Sequence, residues 1–337
     1  MLQVRNETPF QVDKAVLVDK EGNQFWVVLV KATYLIKDDE TTEMASSQEP
    51  ICHAPVYSGE PGRSSLLRES EFVVEHPGTD VTILGSAYAA QQKATPVVDV
   101  GVSVGAAVKV LRVFGARIWQ AGVFGPRMTS PEPFVSMPVT YERAFGGTNA
   151  LAGGGQEKEP RNPIGTGFSS SADHLVGKAV PNVEDPLQLI DSWHSRPKPA
   201  GLGPIPAMWS PRLEYAGTFD ERWREKRMPL WPMDYDPRQA QSAHPDLVMV
   251  EPLKGGEKVM LTNLSPNSRL SFRIPRVYVN LTTFTRTDRI RQSMQLDRVI
   301  IEPDVRKVMT VWRSSLNCRA RVRDVVQTIV EPKRRLR

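Results

Sequence analysis

The chain has 337 residues, of which 40% are hydrophobic and 24% charged, with 43 Lys or Arg against 38 Asp or Glu and a formal net charge of +5. Such a composition supports one large core or two moderate ones and excludes a disordered chain. The longest apolar stretches run to about ten residues, well short of the roughly 20 a membrane-spanning helix needs, and the N-terminus lacks the basic, apolar and small-residue succession of a signal peptide, so a cytoplasmic protein is expected.

Twenty-eight prolines beside 23 glycines disfavour long helices and long central strands and point to short strands joined by turns and structured loops. Residues 14–19 and 24–37 read as strands around a Glu21-Gly22-Asn23 turn, a hairpin signature. After a polar stretch from 37 to about 50, strand patterns return at 71–75 and 81–90. The run Val98, Val100, Val102, Val104, Ala106, Val108, Val110 predicts one unbroken strand with one buried face. The change of apolar phase at Leu111 and Val113 predicts a bulge or bend near 110–112. Val135, Met137, Val139 and Tyr141 alternate into Glu142-Arg143-Ala144-Phe145-Gly146-Gly147.

From 145 to 253 regular periodicity gives way to Pro, Gly, Trp and charged residues, over a length too great for an ordinary loop. Trp193, Trp209, Phe219, Trp223, Trp231 and Tyr235 are costly to expose, so this segment reads as a folded, loop-rich cap. It has a helical turn around 220–226, for which Thr218 is the expected N-cap. Strands resume at 257–261, 269–274, 277–281, 298–302, 308–313 and 325–330. The expected fold class is mainly β with few helices: a large antiparallel β-sandwich or barrel-like assembly made by 1–144 and 254–337 together, with 145–253 inserted.

Chemical motifs are weak. Gly101-Val102-Ser103-Val104-Gly105 matches the G-x-S-x-G elbow of serine hydrolases, but an elbow joins a strand to a helix, whereas Ser103 lies within alternating valines. Cys52 and Cys318 stand far apart, and the five histidines lack ligand spacing, so no metal is implied. Gly146-Gly147, Gly153-Gly154-Gly155 and Gly165-Thr166-Gly167 lack the frames of phosphate or dinucleotide loops, so no cofactor is expected. Acidic residues offset basic ones along most of the chain, against nucleic-acid binding. The basic excess gathers from Arg306 through Arg319, Arg321, Arg323, Lys333, Arg334 and Arg335 to Arg337 and reads first as a solvated strand face and tail, with an acidic protein partner as the sharper alternative. Glu142 and Arg143 suit a charge network that anchors the cap. The strongest enzymatic alternative is a polymer-acting hydrolase with acids drawn from Glu142, Glu184, Asp220 and Asp234.

Several motifs together resemble a known family. They are Asn6-Glu-Thr-Pro-Phe10, Val30-Lys-Ala-Thr-Tyr34, Tyr141-Glu-Arg-Ala-Phe-Gly-Gly147, Arg161-Asn-Pro-Ile-Gly-Thr-Gly-Phe168, Pro181-Asn-Val-Glu-Asp-Pro186, Arg196-Pro-Lys-Pro-Ala-Gly-Leu-Gly-Pro204, Trp209-Ser-Pro-Arg212, Ala216-Gly-Thr-Phe-Asp220 with Trp223, and Pro232-Met-Asp-Tyr-Asp236. Towards the end Leu261-Thr-Asn-Leu264, Leu270-Ser-Phe-Arg-Ile-Pro275 and Val311-Trp-Arg313 continue the likeness. The chain resembles the bacterial cytoplasmic adaptor/chaperone proteins of type VI secretion, which are encoded beside PAAR-like proteins and toxic effectors. One departure is Leu202, where the family tends to have phenylalanine.

The resemblance implies a non-enzymatic adaptor that binds an effector toxin or its PAAR-like region and promotes loading onto the VgrG spike. A structural component of the secreted particle is the other implied role. The residues expected to carry partner binding, from their places in these motifs, are Arg143, Asn162, Asn182, Glu184, Trp193, Arg196, Trp209, Arg212, Asp220, Trp223 and Asp234. Trp, Tyr and Arg dominate binding energy at protein interfaces.

Overall fold

Strands Gln24–Ile36 and Lys307–Arg319 pair antiparallel over their whole lengths, from Lys307 opposite Leu35 to Arg319 opposite Gln24. They form the middle of a seven-stranded sheet that runs Val248–Met249, Thr79–Ile83, Gln295–Glu302, Lys307–Arg319, Gln24–Ile36 and Gln11–Val18, with Thr42–Met44 beside the end of Gln24–Ile36. The computed structural model describes residues 2–151 and 153–333; Arg334, Arg335 and Arg337 of the basic terminus lie outside the described residues. A five-stranded sheet holds Val183–Glu184, Ala107–Phe114, Val97–Val104, Lys258–Thr262 and Arg269–Arg273. A four-stranded sheet holds Gln3–Asn6, Val325–Pro332, Val279–Thr285 and Arg289–Gln292.

Trp26, Val28 and Val30 from the first sheet, Val100, Val102, Leu261 and Phe272 from the second, and Leu281 and Val330 from the third are buried in one hydrophobic cluster. The buried Trp26 indole donates to Thr328 Oγ1 at 2.8 Å, tying the seven-stranded sheet to the four-stranded one. The fold is mainly β, and each main sheet is open, with unjoined end strands, so the barrel-like alternative is not realised. Pairing is mostly antiparallel, with parallel contacts between Gln3–Asn6 and Val325–Pro332 and between Thr79–Ile83 and Gln295–Glu302. All three sheets contain strands from both 1–144 and 254–337. Two short strands of the 145–253 segment join these sheets as well.

Several local expectations are corrected. The alternating run 98–110 is not one strand: Gly105-Ala106 turn it into a hairpin, with Val104 opposite Ala107, and Gly105 adopts φ +57°. In such a two-residue turn the paired residues 104 and 107 share a face. Buried parity therefore passes from even residues (Val98, Val100, Val102, Val104) to odd ones (Lys109, Leu111, Val113), leaving Val108 and Val110 exposed. The phase change is the hairpin itself, with no bulge in the pairing. Residues 71–75 form no strand; Val74 C=O is taken by the Arg313 guanidinium at 2.9 Å and the Ser315 hydroxyl at 2.8 Å. The 81–90 stretch splits into Thr79–Ile83 and Ser86–Tyr88, because Gly85 lies against Pro303, whose Cγ would stand 2.6 Å from an added Cβ.

Glu142 and Arg143 sit on a one-turn 3-10 helix, Tyr141–Arg143, and not at a strand end. The six-residue helix Glu221–Lys226 is N-capped by Asp220, which accepts from Trp223 N–H at 2.7 Å. Thr218 instead donates to Asp234.

Candidate partner-binding surface

The motif residues fall into two groups. The first holds the cap together. Asn162 is fully buried and donates from Nδ2 to Tyr141 C=O at 2.8 Å and Phe145 C=O at 3.0 Å. The Phe145-Gly146 strand runs so close to it that a Cβ on Gly146, at φ +154°, would meet Asn162 C=O at 2.1 Å. Arg143 donates to Asn182 Oδ1 at 3.3 Å, and Asn182 passes the link on to Phe114 C=O and Gly115 C=O at 3.1 Å each. Glu184 is buried, paired with the buried Arg117, and accepts Ile190 N–H at 2.7 Å. These bonds draw Tyr141-Glu-Arg-Ala-Phe-Gly-Gly147, Asn162 and Pro181-Asn-Val-Glu184 into one knot in space.

Trp209 is 4% exposed and meets the Tyr141 ring edge-on at 5.7 Å. Arg212 is equally buried: Nε and Nη2 donate to Gln239 C=O at 2.9 and 2.7 Å, and Nη1 donates to Glu69 Oε2 and Ile205 C=O at 2.6 Å each. Arg196 is exposed, yet it donates to Trp193 C=O at 2.9 Å and Ser169 C=O at 2.7 Å. Trp193 is half-buried, packs on the Trp119–Phe145–Leu175 cluster and stacks on His194 at 3.8 Å. Asn162, Glu184 and Trp209 are thus interior ties that a partner meets only by opening the cap, and Arg212 is a tie whose guanidinium is spent within the fold.

The second group is exposed. Phe219 meets Trp223 at 4.7 Å and Trp231 at 6.3 Å, and Trp231 meets Tyr235 at 4.8 Å, which makes a ladder of four rings. Phe219 is 51% and Trp231 43% exposed, and Met228 and Met233, beside them in sequence, stay largely in solvent. The ladder is held rigidly. Trp223 Nε1 donates to Leu230 C=O at 2.8 Å, Asp234 clasps Thr218, and Lys20 Nζ reaches from the first hairpin to Tyr235 C=O at 2.9 Å. The Arg227 guanidinium returns to Lys20 C=O. Between this ladder and the Gln11–Val18 strand opens a cleft of about 460 Å³, walled by Val16, Val18, Phe72, Trp231 and Tyr235, with Arg212 and Arg298 among its lining residues. Burial pushes the Tyr235 phenol up.

Sequence reasoning chose Trp223, Asp220 and Asp234, which support the ladder, and passed over Phe219, Trp231, Met228 and Met233, which present it. The available signal was density: five Trp, Phe or Met residues within 219–233. That many apolar side chains flanking a helix of six residues exceed what so small an element can bury.

The four acids of the hydrolase alternative are each engaged locally. Burial pushes Glu142 up, but bonds from the Ser65 hydroxyl and N–H outweigh it and hold the carboxyl below its usual range. Glu184 is paired with Arg117, and Asp220 caps the helix. The Thr218 hydroxyl and N–H hold Asp234 low. Ser103 lies in strand Val97–Val104, opposite Val108 and Met260. Among the described residues no group of three or more His, Cys, Asp or Glu is placed to hold a metal ion, and no helix is long and apolar enough to cross a membrane.

No curated protein and no solved structure matches the chain. Residues 21–313 match the family model described as "uncharacterized protein conserved in bacteria (DUF2169)", and a match over that much of the sequence makes the chain a member of that family.

Proposed function

We propose that the protein is a non-enzymatic adaptor that binds an effector toxin, or its PAAR-like region, and helps load it onto the VgrG spike of a type VI secretion system. The secretion setting comes from the resemblance of the sequence motifs. The single observation that supports partner binding is the ladder of Phe219, Trp223, Trp231 and Tyr235, an aromatic surface that exposes Phe219 and Trp231 and is fixed by hydrogen bonds on both flanks. Rigid aromatic anchors lose little entropy on binding, and exposed Met beside them adapts to a partner's contours.

The test is deletion of the gene in a host whose secretion cluster is expressed, followed by quantification of the neighbouring effector in cells and in the secreted fraction. The proposal expects effector delivery to fall and its cellular level to drop or become insoluble, with sheath assembly unchanged. Unchanged delivery and unchanged effector level contradict it.

A further inference from the structure

Strand Gln11–Val18 ends the seven-stranded sheet and pairs on one side only, with Gln24–Ile36. Its eight residues leave a backbone edge without a partner strand among the described residues. Which groups face outward follows from the ladder. Asp19 N–H donates to Asn23 C=O at 3.1 Å at the hairpin mouth, and in an antiparallel pair every second residue bonds inward. Leu17, Ala15, Asp13 and Gln11 therefore bond the neighbouring strand, and Val18, Val16, Lys14 and Val12 turn N–H and C=O to solvent. Lys14 bears this out: its amide takes the carboxylate of the preceding Asp13 at 2.8 Å for want of a strand carbonyl.

The edge has chemistry as well as free backbone. Val16 and Val18 are 40% and 39% exposed. Lys14 is exposed, and its ammonium has no carboxylate partner among the described residues. Asp13 lies on the other face and is taken by His53 Nε2 at 2.9 Å. The face that carries Lys14 thus reads Val12, Lys14, Val16, Val18 and holds no acid of its own. At the far end the cap closes the edge, through Lys20 Nζ on Tyr235 C=O, and the aromatic cleft opens beside Val16 and Val18.

We infer that this edge is a docking site for an extended segment of a protein partner, added as an eighth strand. Cross-strand neighbours on one face interact directly, so the occupant carries an acidic residue opposite Lys14 and apolar residues opposite Val12, Val16 and Val18, in alternation. The cap stops the added strand at Lys20 and so fixes its register, while the cleft receives the apolar residue that enters last. Main-chain bonds supply affinity in this recognition mode and alternate side chains supply selectivity. A second copy of this chain fits less well, since paired edges set Lys14 against another Lys14 or a valine and offer it no carboxylate. The inference deepens the adaptor reading and rests on it only for the identity of the partner.

The experiment selects phage-displayed random linear peptides on the intact protein and measures binding of the recovered peptides by fluorescence anisotropy. The expected peptides alternate apolar residues with one Asp or Glu at a fixed place. V16P removes an outward N–H, which an edge strand tolerates. It weakens their binding by at least about tenfold, and K14E does the same until the peptide's acid is changed to Lys. Thermal unfolding checks that V16P folds, and K14E decides the matter if it does not. The inference is overturned if no peptide is recovered, if recovered peptides bind both variants as they bind the parent, or if light scattering shows a dimer that V16P dissociates. The two readings fail separately. An effector that co-purifies equally with V16P leaves the adaptor standing and removes the docking site, whereas edge-dependent peptides without any secretion component do the reverse.

Discussion

Lys31 Nζ and Glu71 Oε1 meet 2.6 Å apart with side chains 2% and 1% exposed, so a buried ion pair joins strand Gln24–Ile36 to the chain at residue 71. Lys31 also donates to Pro50 C=O at 2.9 Å, and Glu71 Oε2 accepts Cys52 N–H at 2.9 Å. The pair pins residues 50–52 and 71 to the strand Gln24–Ile36. Removal of one member strands a buried charge, so K31M alone is expected to destabilise the protein by roughly 3–5 kcal/mol, and the K31M/E71L double variant by clearly less. Urea unfolding of both singles and the double closes the cycle, and additive losses contradict a coupled pair.

The two tryptophan environments separate structural from surface roles. W209A empties a buried site against Tyr141 and is expected to cost about 3–5 kcal/mol of stability. W231A trims an exposed ring and is expected to leave stability within about 1 kcal/mol while weakening partner binding by about 2 kcal/mol or more. Unfolding midpoints and partner affinity on the same samples make the comparison, and a W231A variant with full affinity removes the ladder from the interface.

The strands were legible where a run of apolar and β-branched residues meets a clear turn, as at 24–36 and 308–313, although the second strand continues to Arg319 through polar residues that carry no such signal. Val98–Val113 misled for a physical reason: a two-residue turn preserves the apolar look of the run while inverting its buried parity. Residues 71–75 have strand composition, but side chains and not a neighbouring strand take up Val74 C=O. In the site, motif membership found residues whose loss would break the fold, such as Asn162 and Arg212. It missed Trp231 and left Phe219, though inside a motif, out of the candidates, because exposure depends on how the cap folds back on Lys20, a contact between residues more than 200 positions apart.

Gly146 is required by contact and conformation together. An added methyl would meet Asn162 C=O at 2.1 Å from a backbone at φ +154°, so G146A is expected to cost about 3 kcal/mol or more, or to prevent folding. Gly101 is the control: it lacks a positive φ, and its nearest atom to an added Cβ is Thr262 Cβ at 3.6 Å, so G101A is expected within about 1 kcal/mol of the parent. Thermal denaturation of the two variants side by side checks the contrast.

His244 gives the fold a pH dependence. Burial, with the Lys109 ammonium 3.4 Å from Nε2, drives its pKa down to about 4. Its Nδ1 accepts Asp246 N–H, as a neutral ring does. Between about pH 6.5 and pH 4 the unfolded chain binds a proton there that the folded protein does not, so stability falls as pH falls through that window and the group contributes no further change below it. Urea midpoints followed from neutral pH to about pH 4 are expected to decline less steeply in H244Q than in the parent, and parallel curves contradict the assignment.

The most direct measurement of the central claim is a pull-down of tagged parent and W231A chains from the native host with the secretion cluster expressed, read by quantitative mass spectrometry. The adaptor account predicts that a PAAR-like protein or toxin co-purifies with the parent and is depleted at least about tenfold with W231A. Recovery of the parent chain alone, or of the same partner in equal amount with both chains, contradicts it.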